Sequence, residues 1–156
     1  ESHNKALEIR EEVLGEKHPY TAMSYNNIGT LYMNIEDYDK ALKCYDRALK
    51  INEKALGEKH PDTAISYGSM GSFYFNLGEY DNALEHFNKA LEIQKEVLGE
   101  SNPRTQQTLQ YIAKVKQRLE ELQDWTEESE VVQEESQGKT EEPKKKKGFW
   151  AKLFGE

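Results

Sequence analysis

Apolar residues recur along this chain at the three-to-four-residue spacing of helices buried on one face, and the pattern returns every 42 residues. Tyr25 to His60 reads YNNIGTLYMNIEDYDKALKCYDRALKINEKALGEKH, and the next unit reads YGSMGSFYFNLGEYDNALEHFNKALEIQKEVLGESN. Asn4 to Glu16 (NKALEIREEVLGE) differs from Asn88 to Glu100 at two positions, so the tail of the unit also precedes the first full copy. A fixed period of this length marks a solenoid, in which each unit buries its apolar face against its neighbours. Gly15, Gly57 and Gly99 stand where a helix stops, since glycine takes the left-handed C′ conformation readily. His18-Pro19, His60-Pro61 and Asn102-Pro103 follow, and proline in a first helical turn gives up an N–H that had no partner. Breaks near Ile35-Glu36-Asp37 and Leu77-Gly78-Glu79 divide each unit into two antiparallel helices, A and B. The pattern predicts helices at about 3–14 (B), 20–34 (A), 37–55 (B), 62–76 (A), 79–97 (B) and 103–124 (A).

Small residues Gly29, Ala41 and Ala48 sit where helices approach closely, and Gly71, Ala83 and Ala90 repeat them. Large ones alternate with them: Tyr25, Ile28, Tyr32, Tyr38 and Tyr45, then Tyr67, Met70, Tyr74, Tyr80 and Phe87. Such a code lets neighbouring helix pairs interlock.

Tyr25-x2-Ile28-Gly29-x2-Tyr32 followed by Ala41-x3-Tyr45-x2-Ala48 resembles the tetratricopeptide repeat signature, with Tyr at the place of the usual Trp. Tyr67-x2-Met70-Gly71-x2-Tyr74 followed by Ala83-x3-Phe87-x2-Ala90 matches it again. The 42-residue period and the junction LGEKHPDTA resemble the kinesin-light-chain type of these repeats, and the likeness covers about residues 3–119. The eight residues beyond the usual repeat lengthen helix B by about two turns, or ~12 Å. The resemblance implies an all-α fold, a right-handed α-solenoid of antiparallel helix pairs whose A helices line a concave, peptide-holding face.

The expected layout is a repeat domain over 1–123: a half-repeat at 1–16, repeats at 17–58 and 59–100, and a capping helix at 101–123. In the last helix Ala113 replaces the glycine and Lys116 the tyrosine, so no following B helix is expected. Leu109, Ile112, Leu119 and Leu122 form its inward stripe, with Gln110, Lys114, Gln117, Arg118 and Glu121 outward. Trp125 is expected as the last packing residue of that helix; its setting, Gln-Asp-Trp-Thr-Glu-Glu, also resembles the acidic tryptophan peptides that kinesin light chains bind. The first helix lacks its A partner, so its bare face is a candidate for self-association. Glu1 opens the chain in mid-repeat, and we read the sequence as a piece of a longer protein.

Composition changes the picture at the C-terminal end. Residues 124–142 hold eight acidic residues and one lysine, a composition that predicts a disordered acidic linker. Residues 143–156 then carry five lysines against Glu156, with Phe149, Trp150, Leu153 and Phe154 on one side if the segment turns helical. Lys144, Lys145, Lys146 and Lys147 with these aromatic and aliphatic groups suit an anionic membrane surface, a nuclear import signal, or a partner. The chain as a whole has a formal net charge of −8, which argues against nucleic acid as a partner. A single cysteine, Cys44, fits a reducing, cytoplasmic setting, and no apolar run is long enough to span a bilayer.

Catalytic chemistry finds little support. Cys44 and His86 occupy the same place in successive repeats, about 10 Å apart, too far for a thiol–imidazole dyad. His18 and His60 read as helix caps rather than metal ligands, and no cofactor or metal is called for. The candidate site is the groove. Asn26, Asn27, Thr30 and Asn34, with Met23 and Met33, are not used for interlocking. Ser69, Ser72 and Asn76, with Ile65 and Phe75, continue the face, and Gln107, Gln110, Lys114 and Arg118 end it. Side-chain amides donate and accept at once, so they pair with the backbone of an extended peptide whatever its sequence. The resemblance implies such a role for Asn26, although Gly68 and Gln110 stand at its place in the later units. The expected function is a non-catalytic adaptor holding a peptide or partner helix. The alternatives are a membrane-recruitment module working through residues 143–155, or a structural segment of a longer array.

Overall fold

The computed structural model describes residues 2–15 and 18–136. Its helices, in chain order, are α1 (Ser2–Leu14), α2 (Pro19–Asn34), α3 (Tyr38–Leu56), α4 (Pro61–Asn76), α5 (Tyr80–Leu98) and α6 (Pro103–Ser136). The fold is all-α: α2 packs against α3 and α4 against α5 as antiparallel pairs, with α1 on α2 and α3 on α4. The chain divides into two compact units, Glu1–Arg118 and Leu119–Glu156, which are described in turn.

In the first unit the helix starts are set by side chains that accept from the first-turn N–H groups, which have no partner inside the helix. His18 Nδ1 accepts from the Tyr20 backbone at 3.2 Å, His60 Nδ1 from Asp62 at 3.1 Å, and Asn102 Oδ1 from Arg104 at 3.0 Å. A second contact locks each junction. The Thr21, Thr63 and Thr105 hydroxyls donate to the carbonyls of Gly15, Gly57 and Gly99 at 3.0, 2.8 and 2.9 Å. All three threonines are fully buried, and the three glycines hold φ between +84° and +96°. Each clasp thus ties the end of a B helix to the first turn of the next A helix.

Inside each pair the close approach falls at glycine. A methyl group on Gly29 would lie 2.9 Å from the Tyr45 ring, and one on Gly71 2.8 Å from the Phe87 ring. Ala22, Ala41, Ala48, Ala64, Ala83 and Ala90 are fully buried, so B and A backbones meet across small side chains while Ile28, Met70 and the two rings fill the gaps. Phe73 joins this core beyond what the repeat pattern picked out: it lies edge-on to Tyr45 and Tyr74, with centroids 5.8 and 5.3 Å away. Tyr38 does not, being 39% exposed at the start of α3.

Two expectations about the last helix are corrected. The buried stripe of α6 is Thr105, Thr108, Ile112 and Val115, whereas Leu122 is 48% exposed. Trp125 is 67% exposed and is no packing residue. The stripe uses threonine because position 105 is a clasp, which hydrophobic spacing alone does not reveal.

In the second unit, the linker expected to be disordered from residue 124 is helical as far as Ser136. Low apolar content forbids a packed core, but a helix satisfies its backbone locally, and nothing before Gly138 breaks it. Thr126 and Ser129 hydroxyls return to the Gln123 and Thr126 carbonyls at 2.8 and 2.9 Å. Residues 137–142 and the basic, aromatic end at 143–156 lie outside the described residues.

Gly68 and Gly71 share α4, but a methyl group on Gly68 would meet nothing within 4 Å. Gly68→Ala should therefore stabilise by about 0.5–1 kcal/mol through helix propensity. Gly71→Ala should destabilise by about 1–3 kcal/mol through overpacking. Adding Phe87→Leu to Gly71→Ala should recover part of that loss in urea titrations.

Candidate functional site

The A helices present a face of unusual composition. All 16 residues of α2 are uncharged, and α4 carries only Asp62, in its first turn. The B helices α3 and α5 are by contrast densely charged. Solvent-facing helix surfaces normally carry Lys and Glu. On α2 and α4 the exposed positions besides Asp62 are instead Tyr20, Met23, Asn27, Thr30, Leu31, Asn34, Ile65 and Asn76.

The candidate residues divide by what their side chains already do. Asn27, Asn34, Asn76 and Gln110 are exposed and make no hydrogen bond within the described residues. Thr30 Oγ1 bonds the Asn26 carbonyl and the Tyr45 hydroxyl, both at 3.1 Å, so it is tied inward. Ser69 Oγ donates to the Ile65 carbonyl at 3.1 Å, and Ser72 is half-buried. Lys114 is exposed, its ammonium 5.7 Å from the centre of the Tyr111 ring, and Arg118 is exposed with partners of its own. Tyr111, absent from the sequence-based set, lies flat against Phe87 at 5.3 Å. The tail candidates, Lys144 to Lys147 and Phe149, Trp150, Leu153 and Phe154, lie outside the described residues.

Asn26 stands apart. Its Nδ2 donates to Ser66 Oγ on α4 at 3.2 Å, bridging two A helices. Ser66 also accepts from Asn52 Nδ2 at 3.0 Å, and Asn52 donates in addition to the Asp62 carbonyl at 3.2 Å. Asn52 is 3% exposed, and neither its Oδ1 nor that of Asn26 finds a donor among the described residues. The first A helix is thereby joined to the second through a buried polar node. Asn52 was missed from sequence, although an amide recurs at its place as the buried Gln94. A polar residue repeated on the apolar side of a B helix was the available signal.

On the opposite side, Tyr67 donates to Glu53 Oε1 at 2.6 Å, and Tyr25 makes the same bond to Glu11. Burial first, and then the bonded carboxylate, raises both hydroxyls; Tyr25 is pushed up to about 12, with Arg47 opposing, and Tyr67 further. Both partners change together in the third copy, to Lys95 and Leu109. Burial also pushes up the Cys44 thiol, which leaves little thiolate to act as a nucleophile. His86 Nδ1 lies 2.8 Å from the Asn82 carbonyl, its ring among Tyr67 and Tyr74. No three His, Cys, Asp or Glu side chains converge as metal ligands among the described residues.

Tetratricopeptide-repeat profiles match residues 3–20 and 21–62, and then 62–124. The chain belongs to the tetratricopeptide repeat family. No curated protein matches it. Among solved structures it is similar to BtubC (BKLC) from P. vanneervenii, with a TM-score of 0.69 and 21% identity, over 92% of this chain and 58% of that one. It is also similar to a kinesin-light-chain-like protein of Podosopora anserina with nearly identical TPR-like repeats, with a TM-score of 0.67 and 20% identity. That match covers 86% of this chain and 64% of the other. This tetratricopeptide-repeat chain thus spans about three fifths of the length of these proteins, and at such identity the likeness is one of fold. Repeats of this family are in general protein-interaction modules and typically non-catalytic. No helix among the described residues is long and apolar enough to cross a membrane.

The raised tyrosine hydroxyls fix a pH dependence. A group whose pKa is higher folded than unfolded supports the fold fully below its unfolded value, near 10, and loses that support as pH rises through the folded value. Stability should therefore fall from about pH 10 toward pH 12. The double variant Tyr25→Phe/Tyr67→Phe should start less stable at neutral pH but lose less over that window in thermal melts.

Proposed function

We propose that this chain is a non-catalytic adaptor that holds an extended peptide or a partner helix along its A-helix face. The observation that carries the reading is the uncharged face with its unpaired amides: Asn27, Asn34, Asn76 and Gln110 stand ready to donate and accept while their neighbours are committed inward. Exposed Met23 and Ile65 supply apolar contact beside them, and Lys114 and Arg118 offer cationic groups for an acidic ligand end. Contact between α2 and α4, through the Asn26–Ser66 bridge, supports the A side as the inner one. On this reading Asn26 supports the groove rather than lining it, and the specificity that the family likeness implies for it passes to Asn27 and Asn34.

The test is selection of a binder from a displayed library of extended peptides, followed by titration against variants. Asn27→Ala/Asn34→Ala/Asn76→Ala should weaken the selected peptide by about tenfold to a thousandfold, at about 0.5–1.5 kcal/mol for each hydrogen bond lost. The melting temperature should hardly move, because these are surface positions without partners. Asn26→Ala should do the reverse, lowering stability more than affinity. Equal binding by the triple variant would rule the groove out.

A different observation favours a second reading, a segment of a longer array. Ile9 is 53% exposed while its counterparts Ile51 and Ile93 are 7% exposed, and Leu31 is 43% exposed while Phe73 and Val115 are nearly inaccessible. Ile51 packs with Ala22 and Tyr25, and Ile93 with Ala64 and Tyr67, so the α1 face suits another A-type helix, from further repeats or from a second chain. Sedimentation at rising concentration separates these: association removed by Ile9→Glu would assign the face to a second copy. A monomer at every concentration would leave it to further repeats.

A further inference from the structure

The exposed stripe of the A helices is a shallow trough with two unlike rims. Met23 and Asn34 lie eleven residues apart on α2, about three turns, so both stand on one line of the helix ~16 Å apart. Ile65 and Asn76 occupy the same two places on α4, 42 residues on. Met23 and Ile65 are 46% and 39% exposed, and Asn34 and Asn76 are exposed with no bond to the described residues. Between the rims the side chains are short: Thr30 on α2, Ser69 and Ser72 on α4. Thr30 and Ser69 are already bonded inward. Both helices thus repeat an apolar rim, a low floor and an amide rim at one register.

Resting on the reading of this face as a peptide groove, we propose that its ligand is a proline-rich segment in the polyproline II conformation. It lies across α2 and α4 toward α6, with two apolar residues three apart and an acidic residue three beyond the second, in either chain direction.

The step between repeats and the amide rim together select this conformation. α2 and α4 touch through the Asn26–Ser66 bond, and helices in contact run ~8–10 Å apart, so Met23 and Ile65 recur at about that step. A polyproline II chain turns once per three residues and rises ~3.1 Å for each, so one side recurs every ~9.3 Å. A β-strand returns the same side every ~6.7 Å and turns its third residue the opposite way. An α-helix matches the step over two turns, at ~10.5 Å. Its carbonyls are consumed within the helix, however, and Asn34 and Asn76 would face no acceptor. Polyproline II has no internal hydrogen bonds, so its carbonyls stay open to both amides. Of the three conformations it alone meets both rims. It is also preformed, which lowers the entropy lost on binding.

On α6 the trough changes character. Gln107 stands in the place of Met23 and Ile65, and Lys114 in that of Thr30 and Ser72. The apolar rim therefore ends after two anchors, and an exposed cation follows one step on. A carboxylate three residues beyond the second anchor arrives at that step.

The test is sequencing of a displayed peptide library selected on the full-length chain and counter-selected on Asn27→Ala/Asn34→Ala/Asn76→Ala. Survivors should carry prolines and two apolar residues three apart. One residue inserted between those anchors should weaken a survivor by about tenfold, and Met23→Ser/Ile65→Ser should do the same with the melting temperature held. Lys114→Glu should weaken a survivor about tenfold, yet leave unchanged its version with glutamine in place of the acid. Survivors with apolar residues two apart, or at helical spacing without proline, would overturn the proposal and leave the groove standing. Indifference of the acidic peptide to Lys114→Glu would overturn its placement over α6. If no survivor distinguishes the chain from its asparagine variant, groove and ligand class both fall.

Discussion

The contact on which this fold depends is an aromatic ring laid against a helix backbone with no side chain between them. Tyr45 meets Gly29, and Phe87 meets Gly71, each at a distance that a single added methyl group would violate. Because the ring rests on backbone, A and B helices approach closely, and the neighbouring alanines become fully buried. Dispersion and burial at such a site are worth having only if the ring stays put. Tyr45 is held by Thr30, and Phe87 is held by the flat stack of Tyr111. Thr30 therefore serves the core although it looks outward in the sequence.

That packing leaves the A and B helices with different work. The B helices stay solvated through i,i+4 ion pairs such as Lys50–Asp46 and Lys89–Glu85. Such pairs stabilise little, but they keep that side soluble. The A helices gave charge up, and what remains exposed there is mostly amides, Thr30 and apolar or aromatic side chains such as Met23, Leu31, Ile65 and Tyr20. On the proposed function, such amides would pair with backbone more than with side chains, which suits partners that arrive as extended chain.

The repeat length, the helix pairs and the small/large interlock were legible because they are periodic, and period survives any single substitution. The candidate groove was legible as a face but not residue by residue. Asn26 and Asn27 are adjacent and chemically identical, yet one bridges to Ser66 and the other meets solvent. That difference arises from helix rotation set by the neighbouring repeat, which local sequence does not encode. The threonine clasps escaped notice for a related reason, since a hydroxyl reads as polar surface until its acceptor six residues back is known. The acidic stretch from Asp124 to Ser136 was misread because its composition speaks to burial, whereas a helix needs only its own backbone.

The clasps have a consequence for how such a chain changes length over generations. Each junction from glycine through threonine is closed by groups lying within seven consecutive residues: Gly15–Thr21, Gly57–Thr63 and Gly99–Thr105. A duplication or deletion of 42 residues, wherever its crossover falls, rejoins sequence that still contains an intact hinge with its own geometry. No new joint has to be invented when a repeat is copied or dropped. Unequal recombination can therefore lengthen or shorten the array in whole steps, leaving divergence to act afterwards on the exposed A-helix positions.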